Sequence, residues 1–189
     1  MKLQAVHSSS MEQSSYLRWC LWLVAMFVLV YVSVIGLRGL DQAEAVIVAA
    51  SEAMARHGNL WNPTVYGNAV DVFPLYPWIL QGIVELPAPA SEWHWLSRLP
   101  AALGAVGMAC VAAWLGVIGG GRTAGIVAAA TTLTSLIVVR QGSYAGPDTI
   151  AAMLVSAAWF TWFRAGRVGR HWAAAWTLSL LLVGLAALA

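Results

Sequence analysis

Four acidic and two basic side chains stand where they could take part in a reaction: Asp41, Glu44, Glu52, Asp148, Arg98 and Arg140. Asp41 and Glu44 are three positions apart, and Glu52 is eight beyond Glu44, so on a helix all three lie near one face. A carboxylate within hydrogen-bond reach of a hydroxyl can take its proton as the oxygen attacks, which is general-base chemistry. The competing assignments are an N-cap for Asp41 and a solvated position for Glu44. Glu52 and Arg56 are four apart in the favourable order and read as a surface ion pair. Asp148 follows Pro147 at an expected helix start, where the helix dipole favours an acid. An ionisable group at the edge of an apolar run is also a functional candidate. Arg98 and Arg140 flank other apolar runs. Either can hold a phosphate through bidentate hydrogen bonds, or serve as an interfacial anchor or a partner for Asp148.

The remaining reactive residue types define no further site. His57 and His94 are lone histidines without a second ligand at zinc-like spacing, so no metal site is predicted. Cys20 and Cys110 fall inside apolar runs and read as small buried hydrophobes. Gly119-Gly120-Gly121-Arg122 reads as a tight turn between two helices, not as a phosphate loop. A net charge of +2, with no basic run, gives no support to nucleic-acid binding.

The elements that must position these groups follow from composition. The chain is 60% hydrophobic and only 10% charged, against about 25% charged in soluble domains, so few charges remain for a water-facing surface. An all-α polytopic membrane protein is expected, with about 20 apolar residues per crossing. Five spans are predicted after a cytoplasmic segment 1–18: residues 19–37, 99–121, 123–139, 147–163 and 172–189. The first run ends in Ile35-Gly36-Leu37 without a small-x-small cleavage site and reads as an anchor, not a signal peptide. Trp19, Trp22, Trp93, Trp95, Trp159, Trp162, Trp172 and Trp176 mark the expected interfaces. Arg164, Arg167 and Arg170 share a side with Lys2, Arg18 and Arg122 if the spans alternate, so that side is cytoplasmic by the positive-inside rule. The opposite side collects Asp41, Glu44, Glu52, Asp71, Glu85, Glu92 and Asp148, and only Glu12 of the eight acidic residues stays inside.

The long extracytoplasmic loop, residues 38–98, carries most of that skew. A helix is predicted over Asp41 to His57, with Val46, Ile47, Ala50 and Met54 as its apolar stripe and Gly58 as its terminator. Val72 to Leu80 is aromatic and punctuated by proline, too short to span, and reads as an interfacial helix. Residues Pro87 to Ser91 form a turn before the second span.

In this order the pieces resemble the N-terminal part of the GT-C fold glycosyltransferases that use lipid-linked sugars. The nearest groups are the aminoarabinose transferase of lipid A and the protein O-mannosyltransferases. The resemblance rests on Leu40-Asp41-Gln42-Ala43-Glu44-Ala45, Glu52 through Gly58, Asn62-Pro63, Phe73-Pro74-Leu75-Tyr76-Pro77-Trp78, Ser97-Arg98-Leu99-Pro100 and Gly146-Pro147-Asp148, within roughly residues 17–165. Asp41-Gln42 stands where the family has Asp-Glu, and Phe73-Pro74 stands where it has Lys-Pro-Pro. Family members are also longer, so the run that ends within the fifth span is expected to be truncated.

The resemblance implies sugar transfer from a polyprenyl-phosphate donor to a lipid or protein acceptor on the extracytoplasmic side. It implies Asp41 as the general base with Asp148 facing the same cavity, and Glu44 either takes over the family's second carboxylate or is simply solvated. Arg98, Arg140, Tyr76 and Trp78 are then the substrate-binding candidates. No cofactor is evident. Some relatives use a divalent metal, to which Asp41 and Asp148 could contribute. The expected location is a bacterial inner (plasma) membrane, with the N-terminus cytoplasmic. Two other classes remain open: a non-catalytic remnant or subunit that binds polyprenyl phosphate or a partner, and a small transporter component. A transporter would show charged or broken positions in mid-span, and none is read in the five runs.

Overall fold

The computed structural model describes residues 25, 29, 31, 39–58, 60–61, 64–65, 68–70, 73–84, 93–168 and 172–188. The chain is mostly helical, in the all-α class. Its elements are α1 (Gln42–His57), β1 (Thr64–Val65), β2 (Asn68–Ala69), α2 (Leu75–Val84), α3 (Trp93–Leu96), α4 (Leu99–Thr134), α5 (Leu136–Gly142), α6 (Asp148–Val168) and α7 (Trp172–Ala187). The two strands pair antiparallel as a minimal hairpin. Most of the first predicted span lies outside the described residues, and its Ala25, Leu29 and Tyr31 are helical. The predicted turn at 87–91, and Asp71, Glu85 and Glu92, also lie outside them.

The 36-residue α4 is two helices joined at Gly121, whose φ of 81° and ψ of −171° are not helical. In a straight helix Ala113 and Gly125 would stand about 18 Å apart. Here a Cβ placed on Gly125 would lie 2.8 Å from the Ala113 carbonyl, and one on Gly116 would lie 2.7 Å from the Ala124 carbonyl. The chain therefore reverses at Gly121, and the two arms pack backbone to backbone. Glycine at 121 takes the positive φ that a side chain resists. The turn expected at Gly119–Arg122 is where the structure places it.

The second arm corrects one expectation. Residues 123–139 do not form one unbroken helix, because Ser135 takes extended angles (φ −60°, ψ 126°) between α4 and α5. Just before the break, Thr132 Oγ1 donates to the Ala128 carbonyl and Thr134 Oγ1 to the Ala130 carbonyl, each at 2.8 Å. Such back-bonds compete with the helical ladder and favour a bend.

The buried core sits at one end of the bundle, opposite the Gly121 turn. Tyr76 and Leu80 of α2, Ala101 of α4, Ala145 in the segment before α6 and Ile150 of α6 form it, with Ile47 and Val48 of α1 against them. Tyr31 lies beside Ala102 and Ala105, and its hydroxyl donates to the Val138 carbonyl at 2.8 Å. Trp95, expected at an interface, packs against this second cluster. The α7 C-terminal end comes to the same place: the Leu75 N–H at the start of α2 donates to the Leu188 carbonyl at 2.9 Å. At the other end Trp114 meets Phe160 edge to face, with the Arg164 guanidinium 5.8 Å from the Trp114 ring centre.

Candidate functional site

Asp41 is the N-cap of α1, as one of its two expected readings required. Its Oδ1 accepts from the Gln42 N–H at 2.7 Å, and its side chain also accepts from the N–H at the third helical position. Glu44 returns the bond: its Oε2 accepts from the Asp41 N–H at 2.8 Å. This reciprocal pair is a capping box, which satisfies donors the helix itself leaves open. At the far end Gly58 closes the helix with φ 65° and donates to the Met54 carbonyl.

Glu44 does more than cap, and both of its expected readings are corrected: its carboxylate is neither solvated nor on the lining of the open cleft beside Asp41, because it is enclosed by its partners. Its side chain is fully buried, and so is that of Arg98. Arg98 Nε donates to Glu44 Oε1 at 2.9 Å and Nη2 donates to Oε2 at 2.7 Å, a bidentate pair. Nη2 also donates to the Gly39 carbonyl at 2.9 Å. Glu44 Oε1 accepts a further bond, 2.8 Å long, from the Ala145 N–H. One carboxylate thus ties together the chain entering α1, the start of α4 and the segment leading into α6. Burial pushes the Glu44 carboxyl upward. The hydrogen bonds from Arg98, Asp41 and Ala145 and the Arg98 charge outweigh it and hold the group down at about 2.

Arg98 therefore does not stand as an anchor at an interface or as a partner for Asp148. Its guanidinium is enclosed by protein, so in this arrangement it presents no donor to a phosphate outside. Tyr76 likewise turns inward: it is 1% exposed, and its hydroxyl donates to the Ser97 carbonyl at 2.7 Å. Burial raises its phenol well above the ordinary value. Trp78 is half-buried, its indole N–H donates to the Leu60 carbonyl at 2.9 Å, and its ring meets the exposed Trp61 edge to face. Arg140 and Asp148 are exposed. Glu52 pairs with Arg56, as the spacing predicted.

The structure does bring the Asp41 and Asp148 segments to one place. An open cleft of about 610 Å³ is lined by Asp41, Gln42, Ala43, Val46, Ile47, Val70, Phe73 and Pro147. Its walls are largely apolar, and the exposed Asp41 and Pro147, the residue before Asp148, both line it. Beside it, Thr149 is buried and donates through Oγ1 to the Ala101 carbonyl at 2.8 Å, which fixes the start of α6 against α4. Among the described residues no three His, Cys, Asp or Glu side chains gather as a metal site.

Sequence reasoning missed the Glu44–Arg98 pair because 54 positions separate the partners. One signal could have found it. Arg98 precedes Pro100 at a helix N-terminus, where the dipole disfavours a cation, so the position calls for a carboxylate partner.

No protein-family model, curated protein or solved structure matches this chain.

Proposed function

We propose that the chain spans a membrane several times and forms the N-terminal part of a glycosyltransferase that takes its sugar from a polyprenyl-phosphate donor. In this reading the core end of the bundle faces the extracytoplasmic side and the Gly121 turn faces the cytoplasm.

Support for the membrane comes from what the helices present outward. Leu136, Ile137, Val127, Trp159, Leu180 and Leu181 are all exposed, a surface that water does not favour and hydrocarbon does. The stretch His94–Thr134 is the one among the described residues long and apolar enough to cross a membrane, and only 28% of its apolar window is buried. The core helix of a soluble protein would be mostly enclosed. Its first arm, residues 99–120, gives about 33 Å of helix, which matches a hydrocarbon core of about 30 Å. Trp159, Trp162 and Trp176 form a chain of edge-to-face rings, and Trp159 and Trp162 lie within five residues of Arg164 on α6, in keeping with an interfacial belt.

The observation that carries the chemistry is the cleft. It sets an exposed carboxylate, Asp41, at the edge of apolar walls that suit a prenyl chain. The acceptor hydroxyl would lose its proton to Asp41 as it attacks the anomeric carbon, and the lipid phosphate would leave without needing strong acid assistance. Asp148 would face the same space from the start of α6. Arg140, exposed on the same end, is the remaining candidate for the donor phosphate. The test is transfer of labelled sugar from polyprenyl phosphate by membranes that contain the protein. Transfer above that of membranes without it supports the reading, and its absence with every acceptor class tried opposes it.

A further inference from the structure

We infer that Glu44 is a positioning residue that fixes the Asp41 side of the cleft against its Pro147–Asp148 side. The geometry is direct. Glu44 Oε2 holds the Asp41 N–H at 2.8 Å and Oε1 holds the Ala145 N–H at 2.8 Å, so one rigid carboxylate spans the two backbones. Ala145 is three residues before Asp148, and the Gly146 N–H closes onto the Tyr144 carbonyl at 2.9 Å, which makes the connection short and bent. Arg98 keeps the carboxylate in place from behind through Nε and Nη2 and holds Gly39, two residues before Asp41, by its carbonyl. Ala145 itself is fully buried. Among the described residues no buried side-chain polar atom lacks a partner, so the assembly is closed, and loosening any member leaves an unmet donor.

A capping box alone would need only the Asp41–Glu44 exchange. The burial of a salt bridge beneath it, and the second N–H from another segment, go beyond what helix capping requires. A buried ion pair contributes little net stability over an apolar substitute, so its use here is the fixed geometry it imposes. Reacting groups misplaced by about 1 Å can lose about a hundredfold in rate, which gives such fixing its value. The consequence for catalysis rests on the transferase reading, whereas the spacing itself does not.

Cross-linking separates the two. In the full chain with Cys20→Ser and Cys110→Ser, the pair Ala43→Cys and Pro147→Cys places thiols at two positions that line the cleft from separate segments. Bismaleimides of graded length then report the gap. With Glu44 present, a narrow range of spacers is expected to react. With Glu44→Gln, which keeps the shape but swaps an acceptor oxygen for a donor amide facing Arg98, the preference is expected to flatten across the series. Should Glu44→Gln not accumulate as folded protein, Glu44→Asp carries the test. It keeps the charge but is one methylene too short to reach Asp41, Ala145 and Arg98 together, and it is expected to broaden the preference. An unchanged spacer preference in the folded variant overturns the proposal. In the transfer assay, without the cysteine changes, Glu44→Gln is expected to lower kcat by about tenfold or more with KM nearly unchanged. A lost spacer preference in a protein with no transfer activity would sustain the positioning role and sink the transferase reading instead.

Discussion

Glu44 and Arg98 meet through two parallel N–H···O hydrogen bonds, of 2.9 and 2.7 Å, with neither side chain exposed. Each partner answers a need of the other. The carboxylate offsets a cation at the unfavourable end of α4, and the guanidinium offsets a carboxylate in a nearly dry core.

Single removal of either partner is therefore expected to cost far more than removal of both. Arg98→Met strands a buried carboxylate and should destabilise the protein by about 3–5 kcal/mol. Arg98→Met with Glu44→Leu should recover a large part of that loss. Apparent Tm of the detergent-solubilised protein across the double-mutant cycle measures it, and simple additivity would contradict a coupled pair.

The same pair sets a pH dependence. The Glu44 carboxyl is lowered from 4.5 to about 2 in the folded protein, so it binds a proton more readily when unfolded. Its contribution is fully present above about pH 4.5 and is lost as pH falls toward 2. Apparent Tm should hold level from this group at neutral pH and drop across that acid window, and Glu44→Gln should remove that part of the slope.

The elements were largely legible in the residues, and the tertiary partners were not. Asp41, Gly58, Pro100 and Gly121 carry local signals, because a cap, a left-handed terminator, a first-turn proline and a reversal each depend on near neighbours. The break at Ser135 had a weaker signal, a run of threonines whose hydroxyls bond backward. The inward turn of Glu44 and Tyr76 had almost none. Their spacing fits a solvated face as well as a core, and only packing against Arg98 and Ser97 decides between them. Thus the capping position of Asp41 could be anticipated, while the buried pair behind it could not.

Tyr76 illustrates the difference experimentally. If its hydroxyl serves Ser97 and not a ligand, Tyr76→Phe should cost about 1–2 kcal/mol of stability, the penalty of a buried carbonyl left unpaired. KM for the lipid donor should stay within error. A large rise in KM with unchanged Tm would return Tyr76 to the binding site.

Close backbone contact between α4 and α6 is tested at Gly104. A Cβ there would lie 2.9 Å from the Ile150 nitrogen and the Thr149 carbonyl carbon, with only backbone to yield. Gly104→Val should cost about 1–3 kcal/mol or more and displace the start of α6. Gly82→Ala in α2, where nothing lies within 4 Å, should be neutral or stabilising by about 0.5–1 kcal/mol. Apparent Tm of the two variants should separate accordingly.

The most direct test of the account is Asp41→Asn in the sugar-transfer assay. Asparagine caps helices about as well as aspartate, so α1 and the Glu44 contact to the backbone N–H are retained. Only the base is lost. Transfer from polyprenyl phosphate is predicted to fall by about a hundredfold or more, with the Tm nearly unchanged. Transfer at the unsubstituted rate in a folded Asp41→Asn protein would contradict the account.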